Sequence, residues 1–162
     1  PAFKKYTETY DDALLILAGP DDGYQAETER FIKENQLQDK MVMVGMLTGE
    51  TKKAALADAT IFALPSYSEG FSIAALEAMT AGVPALVSDR IGFDGTVAQH
   101  QAAHEVPLTV EGVHEGLVKL LQQPAYAETL RQNARKMVET LYDIEIVATN
   151  LAKEFEKIAR KK

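Results

Sequence analysis

The sequence predicts an α/β domain, a parallel β-sheet with helices on both faces, and three observations predict it. Four short apolar runs are continuous rather than alternating, segments of helical character lie between them, and the last third carries helical periodicity alone. The runs are Leu14-Leu15-Ile16-Leu17-Ala18, Met41-Val42-Met43-Val44, Ile61-Phe62-Ala63-Leu64 and Ala85-Leu86-Val87. Each is too short for a helix, and an unbroken apolar run suits a strand buried on both faces.

The elements follow in order. The first run ends in Gly19-Pro20-Asp21-Asp22-Gly23, a turn cluster in which the two aspartates serve the turn rather than a metal. Residues 24–35, rich in Glu, Gln, Lys and Arg, read as a helix, and the second run then ends at Gly45. Residues 51–58, rich in Ala and Lys, read as the next helix. The third run stops at Pro65, which has no N–H for a sheet. Residues 72–81 place Ile73, Leu76 and Met79 at helical spacing ahead of the fourth run. Strand alternating with helix means βαβ units and a parallel sheet. Ligands on such sheets bind beyond the strands' carboxyl ends, here Gly19, Gly45, residues 65–70 and residues 88–95. Thr109 then opens a helix with Val110, Val113, Leu117, Leu120 and Leu121 on one stripe. Pro124 breaks it. Residues 125–141 form another helix, through Leu130, Ala134, Met137 and Val138, and residues 143–162 a last one, through Ile146, Leu151, Phe155 and Ile158. There is no internal repeat or low-complexity linker.

Composition narrows the function. The chain has 162 residues, 46% hydrophobic and 25% charged, the balance of one soluble globular domain. Its net charge of −7 argues against nucleic acid as the main partner, which needs a basic face. Arg160, Lys161 and Lys162 make only a short basic end, read as a solvated helix terminus. With no cysteine there is no disulfide framework and no thiolate metal site, which fits a reducing compartment. No apolar run approaches the roughly 20 residues that span a bilayer, and no signal peptide is visible. A chain beginning at Pro1 reads as a fragment. His100, His104 and His114 have no metal-ligand spacing with nearby acids.

The chemistry concentrates in residues 65–84. Gly70 removes a side chain, so a ligand can approach the backbone. A helix beginning near Phe71 leaves its first N–H groups without internal acceptors, and those groups with the helix dipole favour an anion or a sugar oxygen. Glu69 sits just outside that helix start and Glu77 two turns inside it. A carboxylate has two acceptor oxygens and a ribose two neighbouring hydroxyls, so a bidentate contact is a natural task for Glu77. Glu69, at the mouth of the loop, is placed to meet a transferred sugar. Each acid alone also has a plainer reading: Glu69 as a loop acid complementing the helix N-terminus, worth a few tenths of a kcal/mol, and Glu77 as a solvated helix residue.

Taken whole, Pro65-Ser66, Glu69-Gly70-Phe71, Glu77-Ala78-Met79 and Gly82-Val83-Pro84 resemble the signature of group 1 (family 4) glycosyltransferases of the GT-B fold. The resemblance covers nearly the whole chain. It implies the Rossmann-like, doubly wound C-terminal half of such an enzyme, one domain over residues 1–162 finished by closing helices. By that resemblance Glu77 binds the donor ribose and Glu69 contacts the transferred sugar as the catalytic residue of this half. The backbone of Gly70, Phe71, Ser72 and Ile73 faces the sugar and diphosphate, Gly19 ends the first strand, Met46 and Leu47 lie near the nucleobase, and Gly92 lies in the loop after the signature. The substrate is then a UDP-, GDP- or ADP-linked sugar, transferred with retention of configuration and without metal or cofactor. The protein's work is orientation and charge stabilisation.

The expected partners are the donor, an unidentified acceptor and an N-terminal half that would bind it. A cytoplasmic location is expected, compatible with peripheral attachment of the full-length protein to the inner membrane face in cell-surface polysaccharide biosynthesis. Two features depart from the family. The Arg and Lys that neutralise the donor diphosphate have no counterpart here: Lys4 and Lys5 belong to a helix, so the pair is expected upstream of Pro1. The acid that follows Gly92 in relatives has no clear equivalent, with Asp94 the nearest. That departure leaves open a non-catalytic partner or regulatory domain of the same fold. An unrelated dinucleotide-binding domain is disfavoured, because no G-x-G-x-x-G follows the first strand.

Overall fold

A computed structural model describes residues 1–91 and 93–160. Five strands alternate with helices: α1 (Ala2–Thr7), β1 (Leu15–Ala18), α2 (Gln25–Glu34), β2 (Met41–Gly45), α3 (Gly49–Asp58), β3 (Phe62–Leu64), α4 (Ile73–Thr80), β4 (Ala85–Ser88), α5 (Thr96–His100), β5 (His104–Val106), α6 (Val110–Gln122), α7 (Pro124–Met137) and α8 (Ile144–Ala159). A π-helical turn, Val138–Tyr142, joins α7 to α8. All strand pairs are parallel, in orders β1-β2 and β3-β4-β5. The α/β class and the helices on both faces are as the sequence predicts.

β4 shows why continuous apolar runs read as buried strands. Leu86 points into a core with Phe3, Tyr6, Ile32, Leu117 and Leu120, contributed by α1, α2 and α6. Its neighbours Ala85 and Val87 point the other way, into a core with Ala75, Met79, Val97, Ala134 and Met137 of α4, α5 and α7. All four residues of β4 are buried. β1 and β2 differ from this expectation. Ile16, Val42 and Val44 remain 44%, 38% and 41% exposed. The helices of the first core cover one face of this pair, while α3 buries none of its residues and leaves the other face open.

Local chemistry sets the ends of the elements. Asp21 accepts hydrogen bonds from the amides of Gly23 (2.7 Å) and Gln25 (3.2 Å), closing the predicted turn ahead of α2. Thr109 caps α6 through the Gly112 amide, and Pro124 occupies the first turn of α7, where a missing N–H costs nothing. The helix predicted over residues 125–141 divides into α7 and the π-helical turn, and Asp143 then starts the last predicted helix, α8, by accepting from the Glu145 amide. Tyr6, fully buried, donates to Asp12 (2.9 Å) and accepts from Gln122 (2.8 Å), which fixes α1 against the end of α6.

Candidate donor-binding site

The signature segment is the β3–α4–β4 unit with its connecting loop. α4 begins at Ile73, two residues later than its sequence suggests, because buried Ser72 takes the N-cap and accepts the Ala75 amide at 3.3 Å. The first turn of α4 thus has one amide satisfied by the cap, while those of Ile73 and Ala74 have no intrahelical acceptor. The far end explains the rest of the motif. Gly82 adopts φ +77°, the left-handed cap, and the amides of Gly82 and Val83 return to the carbonyls of Met79 (3.0 Å) and Ala78 (2.9 Å). Pro84 follows, where no helix can continue, and its carbonyl accepts the Phe62 amide at 2.9 Å.

Three contacts fasten the loop that carries Glu69. The hydroxyl of Ser88, at the end of β4 and fully buried, donates to the Ser66 carbonyl at 2.6 Å. Glu69 and Ile91 form an isolated parallel backbone bridge, so the loops after β3 and β4 run side by side. Phe71 packs on Phe93 (centroids 4.9 Å apart) and on Tyr142 (5.4 Å), anchoring the loop to the β4 exit and to the π-helical turn. The backbone is therefore held while its outer surface stays open: Gly70, Ile73 and Ala74 are exposed, and Glu69 and Glu77 are half-buried. Among the described residues no side-chain hydrogen bond or ion pair occupies Glu69. Glu77 is engaged: Nζ of Lys52, on α3, lies 2.6 Å from its Oε1.

The structure brings Glu69, Gly70, Phe71, Ser72, Ile73 and Glu77 onto one loop-and-helix unit. Gly19 and Gly45 meet at the ends of β1 and β2, where the Gly19 amide donates to the Gly45 carbonyl at 2.9 Å. Met46 follows, exposed, and Leu47, half-buried. The Lys52–Glu77 pair links the helix after this second exit to the signature helix. Gly92 lies outside the described residues. Asp94 is exposed in a left-handed turn (φ +48°) ahead of α5. Depressions of about 410 Å³ beside β2 and about 360 Å³ along α8 lie away from the loop. Among the described residues, no three His, Asp or Glu side chains gather as a metal ion would need, and no helix is long and apolar enough to cross a membrane. Lys52, Ser88 and Tyr142 contact the candidate site, and motif reading misses them. They act through contacts 22 or more residues away along the chain, or through an aromatic contact.

Comparison with known proteins shows the family. Residues 1–137 match the family described as glycosyl transferases group 1, and the chain belongs to that family. It is 30% identical over 155 residues to an uncharacterized glycosyltransferase of Methanocaldococcus jannaschii, covering 94% of this chain and 38% of that protein. Sucrose-phosphate synthase from Thermosynechococcus elongatus superposes with a TM-score of 0.83 at 26% identity, over 99% of this chain and 42% of that one. HepE from Anabaena, solved with UDP and glucose, shares the fold with a TM-score of 0.84 at 16% identity, over 96% of this chain and 44% of its own. The chain thus spans about two fifths of the length of the proteins it matches.

Proposed function

We propose that this chain is the donor-binding, C-terminal domain of a retaining glycosyltransferase, and that it holds a nucleoside-diphosphate sugar while the rest of the protein presents an acceptor hydroxyl. The observation that carries the reading is the fastened loop around Glu69. Among the described residues the Glu69 carboxylate has no side-chain partner, Glu69 lies four residues before Ile73, where α4 opens with amides that have no intrahelical acceptor, and a second carboxylate, Glu77, lies about one turn inside that helix. Glu69 meets the transferred sugar, the amides from Gly70 to Ile73 face the diphosphate, and Glu77 takes the ribose hydroxyls. The leaving group is then stabilised by fixed dipoles that need no reorganisation during transfer. No metal takes part in this reading. The open face supports it too, since a donor held here needs a second surface to exclude water. That surface belongs to the remaining three fifths of a protein as long as its relatives.

The test uses the full-length protein. UDP, GDP and ADP are titrated by calorimetry, and Glu77→Ala is expected to weaken the best of them about ten- to a hundredfold, the loss of a charge-assisted contact. Glu69→Ala is expected to lower turnover at least about a hundredfold with little change in nucleotide affinity. A Glu77→Ala protein that binds every nucleotide normally ends the ribose assignment. Unchanged turnover in Glu69→Ala favours the non-catalytic reading.

A further inference from the structure

We propose that Lys52 is a positioning residue that presets the Glu77 carboxylate for a ribose diol, a reading that rests on the donor role proposed above. α3 buries none of its residues. Among the described residues the Lys52–Glu77 pair is the single side-chain bond α3 makes outside itself, because its other lysine, Lys53, pairs with Glu50 within the helix. The bond is short, 2.6 Å, and joins residues 25 apart in sequence. The two side chains are 40% and 38% exposed, so water screens them and the pair adds little stability of its own. Its consequence is geometric.

A free glutamate on a helix surface samples several rotamers, and a ligand that needs one of them must offset the lost freedom. Lys52 removes that freedom in advance. It does so without blocking the carboxylate, which has about four acceptor directions across its two oxygens. Nζ takes one on Oε1. Oε2 and the remaining direction on Oε1 are left for two neighbouring hydroxyls. The same bond ties α3, the helix that follows the β2 exit carrying Met46 and Leu47, to α4.

The experiment is a mutant cycle on the full-length protein, read by calorimetry with the tightest of UDP, GDP and ADP and with its 2′-deoxy counterpart. Lys52→Ala is expected to weaken the ribonucleotide about fivefold and the 2′-deoxynucleotide less than about twofold, since the second ligand cannot make the bidentate contact. Lys52→Arg, which keeps the charge-assisted bond, should restore affinity to within about twofold. Lys52→Ala added to Glu77→Ala should cost nothing further. Equal weakening of both nucleotides by Lys52→Ala would mean that the lysine acts on the phosphates or on the fold, and overturns the proposal. So does an unchanged ribonucleotide affinity in Lys52→Ala when Glu77→Ala is weakened, and in that case the ribose reading survives. If Glu77→Ala itself binds normally, the ribose reading fails and takes this one with it.

Discussion

Ser88 shows how one hydroxyl can govern a loop twenty residues away. The residue is fully buried and its hydroxyl donates to the Ser66 carbonyl, in the loop after β3. Ser88→Ala removes the donor and leaves that carbonyl short of a partner in a part-buried place, at a cost of about 1–2 kcal/mol. Urea unfolding measures it, and a loss below about 0.3 kcal/mol would mean that water replaces the hydroxyl freely. The same residue marks the limit of what the sequence discloses. Glu69, Gly70 and Glu77 are legible because they stand at fixed offsets within one strand–loop–helix unit, and Gly82 because a helix stop demands it. Ser88, Lys52 and Tyr142 act across the fold. A bond between residues 22 or 25 positions apart leaves no periodicity, and serine and lysine are common enough to carry no signal alone.

At the scale of elements, the strands and helices with continuous or periodic apolar residues were legible, and β5 was not. His104-Glu105-Val106 carries two ionisable residues in three, so it shows no apolar run. It is a strand because β4 offers it an edge, with Leu86, Val87 and Ser88 in register. That placement has a consequence for pH. Burial against α6 and α7, and then the nearby Lys119 charge, hold the His104 imidazole below its ordinary pKa. Its Nδ1 lies 2.9 Å from the Tyr126 hydroxyl. The unfolded chain therefore binds this proton more readily than the folded one. Stability is complete above the ordinary histidine value of about 6.5, declines as pH falls through it, and levels off below the depressed folded value. Denaturation midpoints followed from pH 7.5 to 5 should show this decline, and His104→Gln should flatten it. Glu105 opposes the trend at lower pH, because burial and then Asp89 raise its pKa, which penalises the folded state as pH rises past the ordinary glutamate range. A His104→Gln protein with the wild-type slope would assign the decline to other groups.

Across the whole molecule, the strands form two parallel sheets, β1-β2 and β3-β4-β5, and the doubly wound order 3-2-1-4-5-6 would join them if one further strand paired with both β1 and β3. The physical state of the two inner edges agrees. Leu15 donates its amide to Lys40 and Gly19 to Gly45, so the odd-numbered amides of β1 point at β2 and the amide of Ile16 points at the open edge. Phe62 donates to Pro84, so the amide of Ala63 likewise faces the open edge of β3. The aliphatic side chains Leu14 and Ile16, 56% and 44% exposed, add apolar surface at this strand. An unpaired apolar edge of this kind invites pairing, and a parallel strand from the longer protein would satisfy both edges together. Hydrogen exchange decides the matter residue by residue. In the 162-residue chain the amides of Ile16 and Ala63 should exchange quickly while those of Leu15 and Phe62 are protected. In the full-length protein Ile16 and Ala63 should slow by at least about tenfold, each strand bond then opening only with the sheet. If Ile16 and Ala63 exchange equally fast in both proteins, no strand lies between β1 and β3, and the two sheets are separate by design.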